Sequence, residues 1–246
     1  MQKRIFVFLL FFSFVVFLFS SEFSFNLNDI NIGKEILKGN NTYLNVEIPD
    51  ISLAYLNKKE LRLLRNQIYA KYNAKFNSSD LSEYFNKQDW YVPLCNTIEA
   101  EKKFNYIDKL NISKIQQYEK CVTKNPIEEK DYIKVWQCER DNLGEGFIDY
   151  FLFKDNMNFC FGFSNKLFFS GTFILYDNCI ELTITNYAKE YYDNSYLEKL
   201  CPFSLCFPFE KCELHSETYD KYNNQQFVIQ IGNTYLYSFD TRYLDE

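Results

Sequence analysis

The spacing of apolar residues along this chain differs before and after a polar stretch at residues 121–131. Before it, from Asn57 to Tyr118, apolar side chains recur at steps of three and four, which is typical of helices that bury one face. After it, apolar and polar side chains alternate, which is typical of half-buried strands. The stretch itself, "CVTKNPIEEKD", has the composition of a linker. The sequence therefore predicts an α+β protein with a helical domain at 58–120, a linker at 121–131 and a β domain at 132–246.

Three helices are predicted in the helical domain. The first has Asn57 at its N-cap and Glu60 three residues later, which matches a capping box. It ends at Asn73, because Asn tolerates the left-handed conformation that a helix stop requires. A shorter helix capped by Asp80 follows, and residues 97–118 predict a third. We interpret residues 21–57 as a loosely structured lead-in that docks on a three-helix core. The apolar stripe of the first helix comprises Leu61, Leu64, Ile68 and Tyr72.

Seven strand-like runs, separated by turn signals, follow the linker. The run "IELTIT" places Ile180, Leu182 and Ile184 on one face. Short strands at this spacing predict an antiparallel β-barrel or sandwich of about seven strands. Between the fifth and sixth runs, residues 188–225 are interpreted as a cysteine-rich insertion with one short helix, "SYLEKL".

Residues 1–20 have the pattern of a secretory signal peptide. A basic start, "MQKR", precedes the apolar run "IFVFLLFFSFVVFLF", and serines follow it. The run is shorter than the roughly 20 apolar residues of a membrane span. Cleavage near Ser20 or Ser21 is expected, with an uncleaved N-terminal anchor as the alternative. The chain is predicted to be exported, to the periplasm, the outer surface or the extracellular space.

Charge and composition exclude several function classes. The formal net charge is −6 with no block of like sign, so nucleic acid is not an expected partner. With only seven glycines, the chain has no glycine-rich phosphate loop. His215 is the only histidine, and Ser–His hydrolases and most zinc enzymes would depend on it alone. We predict that the chain is not an enzyme, with no catalytic residue, no cofactor and no metal.

The eight cysteines of an exported chain are compatible with disulfides. Cys201, Cys206 and Cys212 form a group of three, so they cannot all pair with one another. If every cysteine is bonded, at least one of them forms a disulfide with a cysteine outside the group. If residues 97–118 form one helix, about 22 residues at about 1.5 Å each separate Cys95 from Cys121 by roughly 33 Å, too far for a bond. The trio with His215 could also form a metal set, but the intervals are wider than usual. Disulfides are therefore predicted, and unpaired thiols are the remaining alternative. The cysteines are Cys95, Cys121, Cys138, Cys160, Cys179, Cys201, Cys206 and Cys212.

The stretch "ELRLLRNQIYAKYNAKFNSSDLSEYFNKQDWYVP" and the helical segment after it resemble the YARHG domain, over roughly residues 58–119. The resemblance implies a bacterial envelope setting, often with a second, unrelated domain, and no established activity. The five residues that name the family stand here as Tyr-Ala-Lys-Tyr-Asn at 69–73. Lys71, Tyr72 and Asn73 thus replace Arg, His and Gly. Asn73 preserves the helix stop, whereas Tyr72 removes the imidazole.

The β domain faintly resembles the lipocalin-like barrels of envelope proteins. Trp136 in the first strand and Gly171-Thr172-Phe173 before a hairpin carry this likeness. It implies a barrel that could enclose an apolar ligand.

Arg65 and Asn66 are the candidate binding pair of the helical domain. They could bind a carboxylate or glycan at the surface. The favoured interpretation is a buried Arg whose donors are satisfied by carbonyls and by a carboxylate such as Glu83 or Asp89, because an Arg fork fits several acceptors.

These observations predict an exported bacterial envelope protein that acts as a non-catalytic binding module. The expected partner is a protein or a cell-wall component. The alternative is a carrier of a small apolar molecule, held in the lipocalin-like barrel.

Overall fold

The computed structural model describes residues 25–121, 126–127, 135–139, 148–154, 156–163, 166–192, 195–212, 228–232 and 234–238. The predicted signal peptide, most of the predicted linker and His215 lie outside these residues. No helix in the described ranges combines the length and the apolar character needed to cross a bilayer.

The described residues 25–121 are mainly helical, and the predicted helical domain lies within them. Asn57 is the N-cap of the helix Lys58–Lys71 and forms a capping box with Glu60. The Asn57 side chain accepts the Glu60 N–H, and the Glu60 carboxylate accepts the Asn57 N–H. This confirms the predicted start. The helices are α1 (Ile32–Leu37), α2 (Asp50–Ala54), α3 (Lys58–Lys71), α4 (Ser79–Phe85), α5 (Thr97–Glu101) and α6 (Tyr106–Lys120), with 3-10 helices at Leu27–Asn31 and Asn41–Asn45.

The predicted third helix is wrong in one respect, because it is broken into α5 and α6. Asn105 caps α6, and its side chain accepts the Asp108 N–H at 2.9 Å. Because this N-cap starts a new helix at Tyr106, α5 and α6 are separate helices. Cys95 donates to the Tyr72 carbonyl at 3.3 Å, whereas Cys121 lies beside Cys206. Cys95 and Cys121 therefore do not pair, as predicted. They are kept apart by their different surroundings and not by one unbroken helix.

The segment before α3 is part of the core. The interpretation of this segment as loosely structured is wrong for residues 27–54, which form two 3-10 helices, α1 and α2. Most of their apolar side chains are buried, because the short helices pack against α3 and α6. These buried residues include Leu27, Ile30, Ile36, Leu44, Ile48, Ile51 and Leu53.

The β part is an antiparallel barrel, in agreement with the predicted fold class. Each described strand pairs with the next, and β1 also pairs with β8 through Trp136↔Ser238 and Gln137↔Tyr237, which closes the sheet. On β5, Ile180, Leu182 and Ile184 are buried as predicted. The strands are β1 (Val135–Glu139), β2 (Ile148–Phe153), β3 (Asn158–Phe163), β4 (Lys166–Leu175), β5 (Cys179–Tyr187), β6 (Phe203–Cys212), β7 (Val228–Ile231) and β8 (Thr234–Ser238), with α7 (Ser195–Leu200) between β5 and β6.

Strand β6 corrects the prediction of an insertion at 188–225. It pairs with β5 on one side and β7 on the other, so part of the segment is a barrel strand. Phe203, Leu205 and Phe207 alternate inward and are buried. Pro208 stands opposite Cys179, the first residue of β5, where the β5–β6 ladder ends, so the strand tolerates it. The predicted short helix "SYLEKL" is confirmed as α7.

Phe25 joins the helical part to the barrel. Its ring centroid lies 5.1 Å from that of Phe151, 5.5 Å from Phe161 and 5.0 Å from Phe207. These phenylalanines come from β2, β3 and β6 and are buried. The same hydrophobic cluster continues into the helices before α3. Among the described residues, packed aromatic rings thus occupy the barrel interior, and this packing gives the carrier alternative no support.

Candidate functional site

Lys71 and Tyr72, at the end of α3, both bind one buried carboxylate. The ammonium of Lys71 donates to Asp108 Oδ1 at 3.0 Å, and the Tyr72 hydroxyl donates to Asp108 Oδ2 at 2.5 Å. Asp108 is fully buried on α6 and also accepts the Asn105 N–H at 3.0 Å. Burial and the hydrogen bond to Asp108 raise the pKa of Tyr72 to about 12. The motif at 69–73 therefore fastens α3 to α6.

Asn73 ends α3 in the way that the sequence predicts. Its φ is 63°, in the left-handed region that Asn tolerates better than other non-Gly residues. Its carbonyl then accepts the N–H groups of Leu94 and Cys95 at 2.9 and 3.1 Å. The helix stop thus also positions the loop that leads to α5.

Arg65 and Asn66 have internal partners. Arg65 Nε donates to Glu119 Oε2 at 2.8 Å, and Asn66 Nδ2 donates to the Arg62 carbonyl at 2.7 Å. The favoured interpretation of Arg65 as an internally paired residue holds, but its partner is Glu119 of α6 and not Glu83 or Asp89. Both side chains therefore support the fold rather than a binding surface.

Two buried polar residues of α6 hold the segment at 46–50, and the sequence interpretation missed them. Asn111 accepts the Ile48 N–H and donates to the Val46 carbonyl, both at 2.9 Å. Lys114 donates to the Ile48 carbonyl at 2.8 Å and pairs with Glu47 and Asp50. These bonds make the segment a structural part of the helical unit.

A family model matches most of this helical unit. Residues 38–120 match the family model of the YARHG domain. The match confirms the resemblance and begins earlier than the predicted residue 58, which agrees with the bonds from α6 to residues 46–50. YARHG domains occur in exported bacterial proteins. No curated protein and no solved structure matches the chain.

Four of the five large apolar side chains that the described part of the YARHG domain exposes lie within residues 92–106, and the fifth is Val46. The exposed fractions are 54% for Val92, 66% for Leu94, 67% for Ile98 and 70% for Tyr106. The first two lie on the loop after α4, Ile98 on α5, and Tyr106 at the first position of α6. Ile98, in the first turn of α5, points into solvent although α5 buries Ala100. Single exposed apolar residues are ordinary, whereas a group of them marks an interaction surface.

Three cysteines that are distant in sequence come together at the edge between the YARHG domain and the barrel. The Sγ atoms of Cys121, Cys179 and Cys206 all lie within 4.8 Å of one another. Cys121 follows α6, Cys179 begins β5, and Cys206 lies in β6. Hydrogen bonds from the thiols of Cys121 and Cys206 lower the pKa of the Cys179 thiol. Spacing could not reveal this set, because its members are 58 and 27 residues apart (179 − 121 and 206 − 179).

The predicted disulfides are absent among the six cysteines whose side chains are described. These residues are thiols, and the Sγ atoms of Cys121 and Cys206 lie 3.5 Å apart against about 2.05 Å in a disulfide. The predicted trio also does not assemble as a unit. Cys201 donates to the Thr185 carbonyl at 3.2 Å, whereas Cys206 joins Cys121. The side chain of Cys212 lies outside the described residues.

Proposed function

We propose that this chain is an exported bacterial envelope protein that binds a protein partner through residues 92–106 of its YARHG domain. The observation that carries this proposal is the group of exposed apolar side chains at Val92, Leu94, Ile98 and Tyr106. Burying one Leu or Ile side chain contributes about 1.5–3 kcal/mol, so a folded domain that leaves several in solvent forgoes a large stabilisation. A partner that covers them recovers it.

The chemistry of this surface favours a protein over a cell-wall glycan. Val92, Leu94 and Ile98 are aliphatic and offer no hydrogen bond to a sugar hydroxyl. Acidic and basic side chains flank them, including Glu99, Glu101, Lys102 and Lys103, which are exposed. Exposed apolar side chains with charged neighbours along the chain agree with the composition of a protein–protein interface.

The polar groups of the motif support binding rather than catalysis as the activity. Arg65, Lys71 and Asp108 are each engaged with a partner inside the domain. A catalytic role would require such groups to face a substrate. The proposed activity therefore depends on shape and apolar burial, and no reaction is assigned.

Site-specific photo-crosslinking in the native host tests the proposal. A photoreactive residue at position 98 is expected to give one discrete protein adduct, which is lost when Leu94 is replaced by Asp. The matched control position is Leu167, an exposed apolar residue on β4 of the barrel. A crosslinker there is expected to give no such adduct.

Binding to the purified partner then provides the quantitative test. Leu94→Asp and Ile98→Asp are each expected to weaken binding about tenfold or more, because each removes about 1.5–3 kcal/mol of apolar burial. Leu167→Asp is expected to leave the affinity unchanged. Equal affinity of all variants would refute the surface. Sedimentation of the protein with purified peptidoglycan, unaffected by Leu94→Asp, would replace the protein partner by a cell-wall one.

A further inference from the structure

The three thiols of Cys121, Cys179 and Cys206 are held in place by two different parts of the chain. Asn178 Nδ2 donates to the Lys120 carbonyl at 2.9 Å, which fixes the end of α6 beside the start of β5. Cys179 and Cys206 belong to adjacent strands, where Glu181 pairs with Cys206 and Cys179 with Pro208. The two cysteines are therefore diagonal neighbours on the same face of the sheet. The buried face of β5 carries Ile180 and Leu182, so the cysteines lie on the other, outer face of the barrel.

We propose that Cys121, Cys179 and Cys206 bind one zinc ion, which links the end of the YARHG domain to the barrel. This site is independent of the surface at residues 92–106. Cys179 is buried, whereas Cys121 and Cys206 are half-buried, so solvent reaches the cluster and water is the proposed fourth ligand. Three protein ligands with a fourth, open position are a common arrangement for zinc.

The sulfur separations suit a single ion better than a disulfide. Zinc binds thiolates at about 2.3 Å, which places the sulfurs of a tetrahedral site roughly 3.8 Å apart. This value lies within the observed range. The Sγ atoms of Cys121 and Cys206 are 3.5 Å apart, and all three Sγ atoms lie within 4.8 Å of one another. A disulfide would use two of the three sulfurs and require the pair to approach to about 2.05 Å. One ion uses all three with small movements of the side chains.

Charge favours a divalent over a monovalent soft cation. Three thiols lose three protons to solvent when the ion binds, and the resulting thiolates carry three negative charges. Zn²⁺ leaves a net charge of −1, whereas Cu⁺ would leave −2. The carboxylates of Glu181 and Asp177 lie close enough to act electrostatically on Cys179. Additional negative charge is therefore unfavourable at this place.

Metal titration of the reduced, metal-free full chain tests the proposal. One equivalent of Zn²⁺ is expected to bind, and Co²⁺ is expected to give a thiolate-to-cobalt charge-transfer absorption that Zn²⁺ removes. Cys121→Ser, Cys179→Ser and Cys206→Ser are each expected to abolish this absorption. Cys95→Ser and Cys160→Ser are the matched controls, because both thiols lie outside the cluster, and they are expected to retain it. Unchanged absorption in the three cluster variants would overturn the site.

Alkylation of the wild-type chain gives a second test that does not depend on the folding of a variant. Addition of Zn²⁺ is expected to protect Cys121, Cys179 and Cys206 from a thiol reagent, and removal of the ion by a chelator is expected to end that protection. Cys95 is expected to react equally in both conditions. Peptide mapping of unreduced protein from the native host supplies the opposing outcome. A disulfide between any two of the three cluster cysteines in most chains would overturn the zinc site.

Discussion

At the residue scale, Asp108 is the point on which the motif of the YARHG domain converges. Its carboxylate is fully buried and accepts from Lys71 and Tyr72, two of the residues that differ from the family pattern. A buried carboxylate requires a positive charge and several donors. Lys71 keeps the cation that Arg would provide, and Tyr72 replaces the donor of a His. In this chain the buried acid is thus satisfied by an ammonium and a phenol, without an imidazole.

Tyr72 gives this contact a dependence on pH. Its pKa is raised from the ordinary value of 10.0 to about 12, first by burial and then by Asp108. The folded state therefore retains the phenolic proton more strongly than the unfolded state, so the stabilisation is complete below pH 10 and is lost as the pH rises through about 12. The free energy of unfolding of the wild type is expected to fall more steeply between these pH values than that of Tyr72→Phe. Denaturant titrations at several pH values measure it, and equal slopes would contradict the assignment.

At the element scale, Gly171 explains how β4 bends against β5. The register of these strands shifts between Ser170 and Gly171, as in a β-bulge. A Cβ atom at Gly171 would lie 1.8 Å from the Thr183 carbonyl oxygen, so the strands approach too closely for any side chain. The glycine of the triplet Gly171-Thr172-Phe173, which carries the likeness to lipocalin-like barrels, is thus required by the close approach of β5.

Replacement of Gly171 by Ala should therefore force the two strands apart. The expected loss in the free energy of unfolding is about 2–3 kcal/mol, as for overpacking in a core. Thr172→Ala is the control, because Thr172 is exposed on the same strand. Urea denaturation followed by circular dichroism measures both. A loss for Gly171→Ala no larger than that for Thr172→Ala would show that the strands can separate without cost.

Periodicity predicted most elements, and its failures have physical causes. Seven strands and α7 follow from alternation and turn residues, but β6, which carries Cys206 and Cys212, was assigned to the cysteine-rich insertion. The buried face of α6 carries Asp108, Asn111 and Lys114, which a hydrophobic pattern assigns to solvent. Each is satisfied by a partner far away in sequence, and such pairings cannot be read from spacing. The thiol cluster and the exposed surface at residues 92–106 depend on the tertiary structure in the same way.

At the scale of the whole molecule, the helical part and the barrel share one hydrophobic core. Phe25 lies among the phenylalanines of the barrel interior, and the cluster continues through Leu27 and Ile30. At the opposite end of the chain, a Cβ atom at Gly232 would lie 2.7 Å from the Tyr118 hydroxyl, so the turn after β7 packs closely on α6. Contacts of this kind couple the unfolding of the two parts.

Phe25→Ala tests this coupling. The substitution leaves a cavity among aromatic rings and is expected to lower the free energy of unfolding by about 3–5 kcal/mol. The chain has two tryptophans, Trp90 in the YARHG domain and Trp136 in β1, so single-tryptophan variants report on each part separately. Both fluorescence transitions are expected to coincide in denaturant and to shift together when Phe25 is replaced, because one core supports both parts. A shift of the Trp136 transition alone would show instead that the barrel unfolds independently and that Phe25 belongs energetically to the barrel.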